Sequence, residues 1–162
     1  MSLALLPGSY DPITLGHLDV VKRAAREYDE VVVAVMNNAA KSYTFDIGKR
    51  AEMARLATRD MPNVRVVADE GMLVDLFDRL SATAIVKGVR NDKDLAYEQE
   101  MAAYNLSKNP RAKTVLVEAD PSLSAVSSTC VREMLREGRV PKGLLSAEVV
   151  DYLVGLGALP NS

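Results

Sequence analysis

A chain of 162 residues suits one domain, and 20 basic against 22 acidic residues leave a net charge of −2. The whole-molecule field therefore gives no reason to bind a polyanion such as duplex DNA, and any phosphate ligand must be held locally. No uncharged apolar run is long enough to cross a bilayer, the single cysteine excludes an internal disulfide framework, and the N-terminus lacks the pattern of a secretory signal, so a cytoplasmic, non-membrane protein is expected.

In chain order, "LALL" at 3–6 reads as a first apolar strand. It runs into "PGSYDPITLGH" at 7–17, which holds the only histidine, His17. Gly8 lets backbone approach a ligand, Asp11-Pro12 marks a turn, and Thr14 to His17 open a helix whose free N–H groups and dipole attract anions. From Gly16 to Tyr28, Leu18, Val21, Ala24 and Ala25 share one side and Lys22, Arg23, Arg26 and Glu27 the other, as in a crossover helix. A second strand at 30–36 leads to the loop "NNAAKSYTF", which carries Lys41. Helical periodicity follows at about 47–60 (Ala51, Ala54, Leu56, Ala57), then a strand at 64–68 and a helix at 72–80 (Leu73, Leu76, Phe77, Leu80).

The fourth strand, 84–88, ends in "VKGVRNDKDLAYEQEMAAYN", where Lys87 and Arg90 flank Gly88 and a helix at 93–108 carries Tyr97 and Glu98. Two cations about a glycine at a strand end suit a phosphate clamp, and equally a charged surface turn. After a fifth strand at 113–119, "LSAVSSTCVRE" places Ser127, Ser128 and Thr129 at the start of a helix over 128–137. Those hydroxyls suit either a second phosphate grip or plain N-capping. A last helix is expected near 146–155, and the tail from 158 to 162 is expected to fray. Five nearly continuous apolar strands alternating with helices predict one doubly wound α/β domain over 1–162, with a five-stranded parallel sheet buried on both faces. Ligands of such sheets bind beyond the carboxyl ends of the strands, where these unusual residues fall.

Neither the P-loop nor the dinucleotide-binding glycine spacing is present. "GSYDPITLGH" instead resembles the Thr/His-x-Gly-His motif of the nucleotidyltransferase superfamily, in the form carried by the bacterial phosphopantetheine adenylyltransferase family. Lys41, the Lys87-to-Arg90 turn with Glu98, and the 123–129 stretch follow in family order, so the resemblance covers nearly the whole chain from about Leu3. It implies a Rossmann-like fold and transfer of the adenylyl group of ATP to 4′-phosphopantetheine, giving dephospho-CoA and pyrophosphate. His17, Lys41 and Arg90 would be catalytic, and Ser9, Lys41, Leu73 and Lys87 would bind the acceptor. ATP would lie against Ser9, Tyr10, His17, Gly88, Val89, Arg90, Glu98 and Leu123, Ser124, Ala125, Val126, Ser127, Ser128 and Thr129. Magnesium would arrive with ATP and no residue is assigned as its protein ligand; coenzyme A is a candidate feedback ligand and a homohexamer the implied assembly.

The sequence departs from the family where Lys87 replaces the more frequent arginine, where Leu123 and Ala125 replace bulkier residues, and at Asn37, Asn38 and Gly48. Two rival readings stay open. One is a sister adenylyl- or cytidylyltransferase with another acceptor, such as nicotinamide mononucleotide. The other is a non-catalytic adenine-nucleotide-binding module on the same fold.

Overall fold

The computed structural model describes residues 1–159. Its elements run β1 (Leu3–Gly8), α1 (Leu15–Glu27), β2 (Glu30–Met36), α2 (Ile47–Thr58), β3 (Val64–Asp69), α3 (Leu73–Arg79), β4 (Ala84–Val89), α4 (Asp92–Lys108), β5 (Thr114–Glu118), a short 3-10 turn at Pro121–Leu123, α5 (Ser128–Arg136) and α6 (Ala147–Gly155). The five strands form one parallel sheet in the order β3-β2-β1-β4-β5.

Side-chain alternation along the central strands divides the core in two. Ala4, Leu6, Val31, Val33 and Val35 face α1, α2, α5 and α6, whereas Leu3, Leu5, Val32 and Ala34 face Val74, Leu76 and Phe77 of α3. Burial on both faces holds for β1, β2 and most of β4 but not for β3 and β5, which are only partly covered. These two are edge strands, with a neighbour on one side only. The expected fraying also fails at its start: Leu159 is 4% exposed and packs in the core with Ala158 against it. The rest of that tail, 160–162, lies outside the described residues.

The order of the strands decides where a ligand can bind. From β1 the chain crosses to β2 and β3 on one side, then returns to β4 and β5 on the other, so the switch point lies between β1 and β4. Those two strands are paired in register only at Ala4–Ala84 and Leu5–Ile85, while β1 stays paired with β2 through Gly8. Beyond Leu5 they diverge and open a crevice. Pro7, which has no N–H to give to a ladder, sits where β1 has left β4, which reconciles a proline with a central strand.

Close packing of α1 on this region depends on Gly88. A Cβ there would lie 2.6 Å from Val20 Cγ2. Gly88→Ala is therefore expected to destabilise by about 1–3 kcal/mol through overpacking. Val20→Ala in the same chain should recover most of that loss, as read from urea denaturation midpoints; no recovery would separate Gly88 from the helix contact.

Candidate active site

The loop between β1 and α1 turns through buried space, with Tyr10 to Thr14 all buried and a cis Asp11-Pro12 peptide. Tyr10 takes a left-handed backbone (φ 49°), its hydroxyl donates to the Leu6 carbonyl at 2.9 Å, and its ring meets the His17 ring edge-on at 5.0 Å. Gly8 makes room for that ring: a Cβ there would stand 2.9 Å from it. Its smallness thus serves Tyr10 as well as any ligand.

His17 serves both the cap of α1 and the lining of the site. Thr14 caps α1, its hydroxyl accepting from the His17 N–H at 3.3 Å, while the Thr14 N–H donates to His17 Nδ1 at 2.9 Å. This is a capping box with histidine in place of the usual Glu or Gln. A ring nitrogen that accepts a hydrogen bond carries no proton, so the neutral ring is protonated at Nε2. Burial, reinforced by the positive charges of Lys87 and Arg90, pushes the His17 pKa down to about 4. At neutral pH the side chain is an uncharged N–H donor.

The cations of the β4 end are already paired. Lys87 Nζ lies 3.2 Å from Glu98 Oε2 and 3.4 Å from the Pro7 carbonyl, and Arg90 Nε lies 2.9 Å from Asp94 Oδ2. Glu98 is thus buried against Lys87 rather than standing alone. At the start of α5 the three hydroxyls are also engaged: Ser127 accepts from the Cys130 N–H at 3.1 Å as N-cap, Ser128 donates to the Pro12 carbonyl at 2.8 Å, and Thr129 accepts from Arg132 Nη2 at 3.1 Å. Capping and site lining coincide here too.

Two cavities open at the crevice. The first, of about 350 Å³, brings together Ser9, Tyr10, His17, Lys41, Lys87, Gly88, Arg90, Glu98, Leu123, Val126, Ser127, Ser128 and Thr129. The second, of about 280 Å³, is lined by Leu73, Ile85, Met101, Asn105 and Thr114. Ser9, Lys41, Lys87 and Glu98 line both, so they stand at the junction. Three residues expected at the nucleotide site fall outside these walls. Val89 is buried in β4, and Ser124 and Ala125 are exposed, the Ser124 hydroxyl donating to the Pro121 carbonyl at 3.0 Å. The 3-10 turn sends 124–125 outward before Val126 turns back in.

Sequence reading missed Arg132, Asp94 and Asp11 as cavity-lining charges. Arg132 Nη1 donates to the Asp11 carbonyl at 2.9 Å and lines the first cavity. Its spacing one turn after Ser128 on the same helix was the available signal. Nothing local marks Asp11, whose carboxylate accepts from the N–H groups of Thr44 at 2.9 Å and Phe45 at 3.0 Å.

Comparison with known proteins agrees with this geometry. Residues 5–134 match the family model described as cytidylyltransferase-like. The chain is 43% identical over 145 residues to the phosphopantetheine adenylyltransferase of Symbiobacterium thermophilum, covering 90% of each chain. It is 40% identical over 153 residues to that of Caldanaerobacter subterraneus, covering 94% of this chain and 93% of the relative. This chain belongs to the phosphopantetheine adenylyltransferase family. The five-stranded parallel sheet is the Rossmann-like arrangement expected of such a nucleotidyltransferase. Among the described residues of this family member, no helix is long and apolar enough to cross a membrane, and no group of three or more His, Cys, Asp or Glu is placed to hold a metal ion.

The single histidine makes the protonation state directly measurable. Because burial lowers the folded pKa to about 4 from an ordinary 6.5, the His17 contribution to stability is complete above about pH 6.5 and is lost as pH falls toward 4. Nitrogen-detected NMR of the ligand-free protein should show a neutral Nε2–H ring from pH 8 down to 5. A ring that titrates near 6.5 would contradict the half-buried, capped geometry.

Proposed function

We propose that this protein transfers the adenylyl group of ATP to 4′-phosphopantetheine, giving dephospho-CoA and pyrophosphate, by direct in-line attack without a covalent enzyme intermediate. One observation carries the reading: two cavities, one beside a neutral histidine donor and a helix N-terminus, the other running past Leu73, Ile85 and Met101, meet at Ser9, Lys41 and Lys87. A bisubstrate transfer needs such a junction, where the acceptor phosphate faces the α-phosphorus. Membership of the family supports the same reaction.

In this mechanism the nucleotide occupies the first cavity and the pantetheine arm runs into the second, past Leu73. The acceptor phosphate oxygen attacks the α-phosphorus and pyrophosphate departs on the opposite side. His17 gives its Nε2–H to an α-phosphate oxygen, where negative charge must be stabilised as the transition state forms. Being uncharged in the free enzyme, it can donate without surrendering a proton. Lys41, with no ion-pair partner among the described residues, and Lys87 neutralise and orient the acceptor phosphate. Glu98 acts through Lys87, fixing its ammonium at the junction. Arg90 and Arg132 face the departing phosphates, with the N-terminus of α5 behind them.

Asp11 is committed to backbone N–H groups, Asp94 to Arg90 and Glu98 to Lys87. This donor set fits magnesium carried in on the nucleotide's phosphates rather than held in a protein cage. When bound there, the ion shields phosphate charge. Coenzyme A shares the pantetheine arm and would compete for the second cavity, and an ATP-consuming reaction supports a cytoplasmic location.

Self-association into a hexamer finds support on α4. Its two buried residues are polar, Glu98 and Asn105, while Tyr97 and Tyr104 are 52% and 47% exposed, with Met101 between them one turn apart on the same side. An apolar stripe of that kind on one helix suits contact with other copies. Light scattering at micromolar concentration should give the mass of six chains, and a monomer would reject the assembly.

The decisive assay is pyrophosphate release from ATP and magnesium, with 4′-phosphopantetheine and nicotinamide mononucleotide supplied separately. Release is expected with the first alone. Release with the mononucleotide would move the acceptor, and ATP binding without release would favour a nucleotide-binding module. His17→Ala should lower kcat by about 10² to 10³ while changing ATP affinity little, as removal of one transition-state donor does. An unchanged kcat would remove His17 from the chemistry.

A further inference from the structure

We infer that Arg50 is a positioning residue for the acceptor phosphate, setting the spacing between Ser9 and the loop that carries Lys41. This rests on the reaction proposed above. Arg50 lies on the first turn of α2 and is 1% exposed, the most deeply buried charged residue on the helices around the site. No carboxylate lies within ion-pair distance of it among the described residues. Its guanidinium is satisfied by neutral groups from three separate segments. Nε donates to the Phe45 carbonyl at 2.9 Å, Nη1 to the Ser9 carbonyl at 2.9 Å and the Met36 carbonyl at 3.3 Å, and Nη2 to the side-chain oxygen of Asn37. The Tyr43 ring lies against it, 4.0 Å from Cζ to the ring centroid.

These partners are not a random sample of the protein. Ser9 begins the β1–α1 loop, Met36 ends β2 and Asn37 follows it, and Phe45 closes the segment that bears Lys41. One planar fork therefore fixes both ends of the Lys41 loop to the backbone of Ser9. Asp11 grips the same loop from the other side through the N–H groups of Thr44 and Phe45. Lys41 itself is exposed between these anchors, and its ammonium has the freedom that a long side chain on a pinned loop retains.

Charge points the same way. Burying a guanidinium without a direct ion-pair partner is costly, and the carbonyls of Ser9, Met36 and Phe45 that it satisfies offset that cost. Here the positive charge, with no direct ion pair among the described residues, stands behind Ser9, on the side of the junction where the acceptor phosphate would sit. It adds to the charges of Lys41 and Lys87, and a bound phosphate dianion supplies the counter-charge that the protein leaves out. The guanidinium touches no substrate; it acts through Ser9 and the Lys41 loop.

The test compares Arg50→Lys, Arg50→Gln and Tyr43→Leu with the wild type in steady-state kinetics, and follows amide hydrogen exchange at Thr44 and Phe45. Tyr43 lines neither cavity, but its hydroxyl also bonds the Asn38 backbone in the Lys41 loop. Tyr43→Phe, which loses that bond and keeps the ring on the guanidinium, is therefore run as the control, and a rise in KM as large as that of Tyr43→Leu overturns the inference. We expect Arg50→Lys to raise the KM for 4′-phosphopantetheine about tenfold and leave the KM for ATP within about twofold, with Arg50→Gln worse and Tyr43→Leu milder. Exchange at Thr44 and Phe45 should quicken in all three. A merely structural role would reduce the folded fraction, lowering apparent kcat with both KM values unchanged. That result, or an equal rise in both KM values, overturns the inference. Should the Arg50 variants fail to fold, Tyr43→Leu decides it by the same two criteria. A wild type inactive with 4′-phosphopantetheine rejects the proposed reaction instead, and unaltered exchange in the variants then overturns the clamp as well.

Discussion

The loop from Ser9 to Thr14 passes through the interior without regular hydrogen bonding, and a buried backbone polar group left unpaired costs about 1–3 kcal/mol. Three helices that meet the loop bring partners for these groups. Arg50 of α2 takes the Ser9 carbonyl, Arg132 and Ser128 of α5 take those of Asp11 and Pro12, and His17 of α1 takes the Thr14 N–H. The Asp11 carboxylate in turn collects two N–H groups from the segment after β2. Satisfying this one loop thus draws α1, α2, α5 and the Lys41 loop to a single point. The bonds that pay for its burial are also the ones that assemble the cavity walls.

Sheet geometry sets where that point lies. With β1 and β4 paired over only two residues, their carboxyl ends separate and no backbone ladder fills the gap. Side chains fill it instead, chiefly Lys87 reaching toward Pro7 and Glu98. A chain with a net charge of −2 can in this way concentrate cations at one place. Glu98 and Asp94 hold two of them in fixed positions without neutralising the junction, since among the described residues Lys41 is unpaired and Arg50 has no carboxylate within ion-pair distance.

Much of this was legible in the sequence because it depends on neighbours along the chain. Nearly continuous apolar runs mark all five strands, and the capping reading offered for the hydroxyls after β5 holds at Ser127, the N-cap of α5. His17 and Arg90 stood out because they follow strands and Lys87 because it sits near the carboxyl end of β4, whereas Lys41 stood out only through the family resemblance. What depended on distant partners did not show. Arg50, between Lys49 and Ala51, reads as one more solvent-facing charge on an amphipathic helix, and only the carbonyls of Ser9, Met36 and Phe45 explain its burial. Helix α4 reads as conventional, yet it buries Glu98 and Asn105 and exposes two tyrosines, because it borders the second cavity rather than a core. Ser124 and Ala125 belonged to the right stretch but to the wrong side of a 3-10 turn, and strand order has no local signal at all.

His17 shows why structural and functional readings of one residue need not compete. A histidine that only capped a helix could use either ring nitrogen, and one that only bound phosphate could be charged. Here the cap consumes Nδ1, which leaves the proton on Nε2, and the burial that the cap permits keeps the ring neutral. The bond that selects the tautomer comes from the backbone N–H of residue 14, so any residue but proline could supply it. The return bond, from the His17 N–H to a side chain at 14, asks for a short acceptor placed as an N-cap, and threonine meets that demand. The constraint on position 14 therefore comes from helix capping, and the state of the imidazole follows from it.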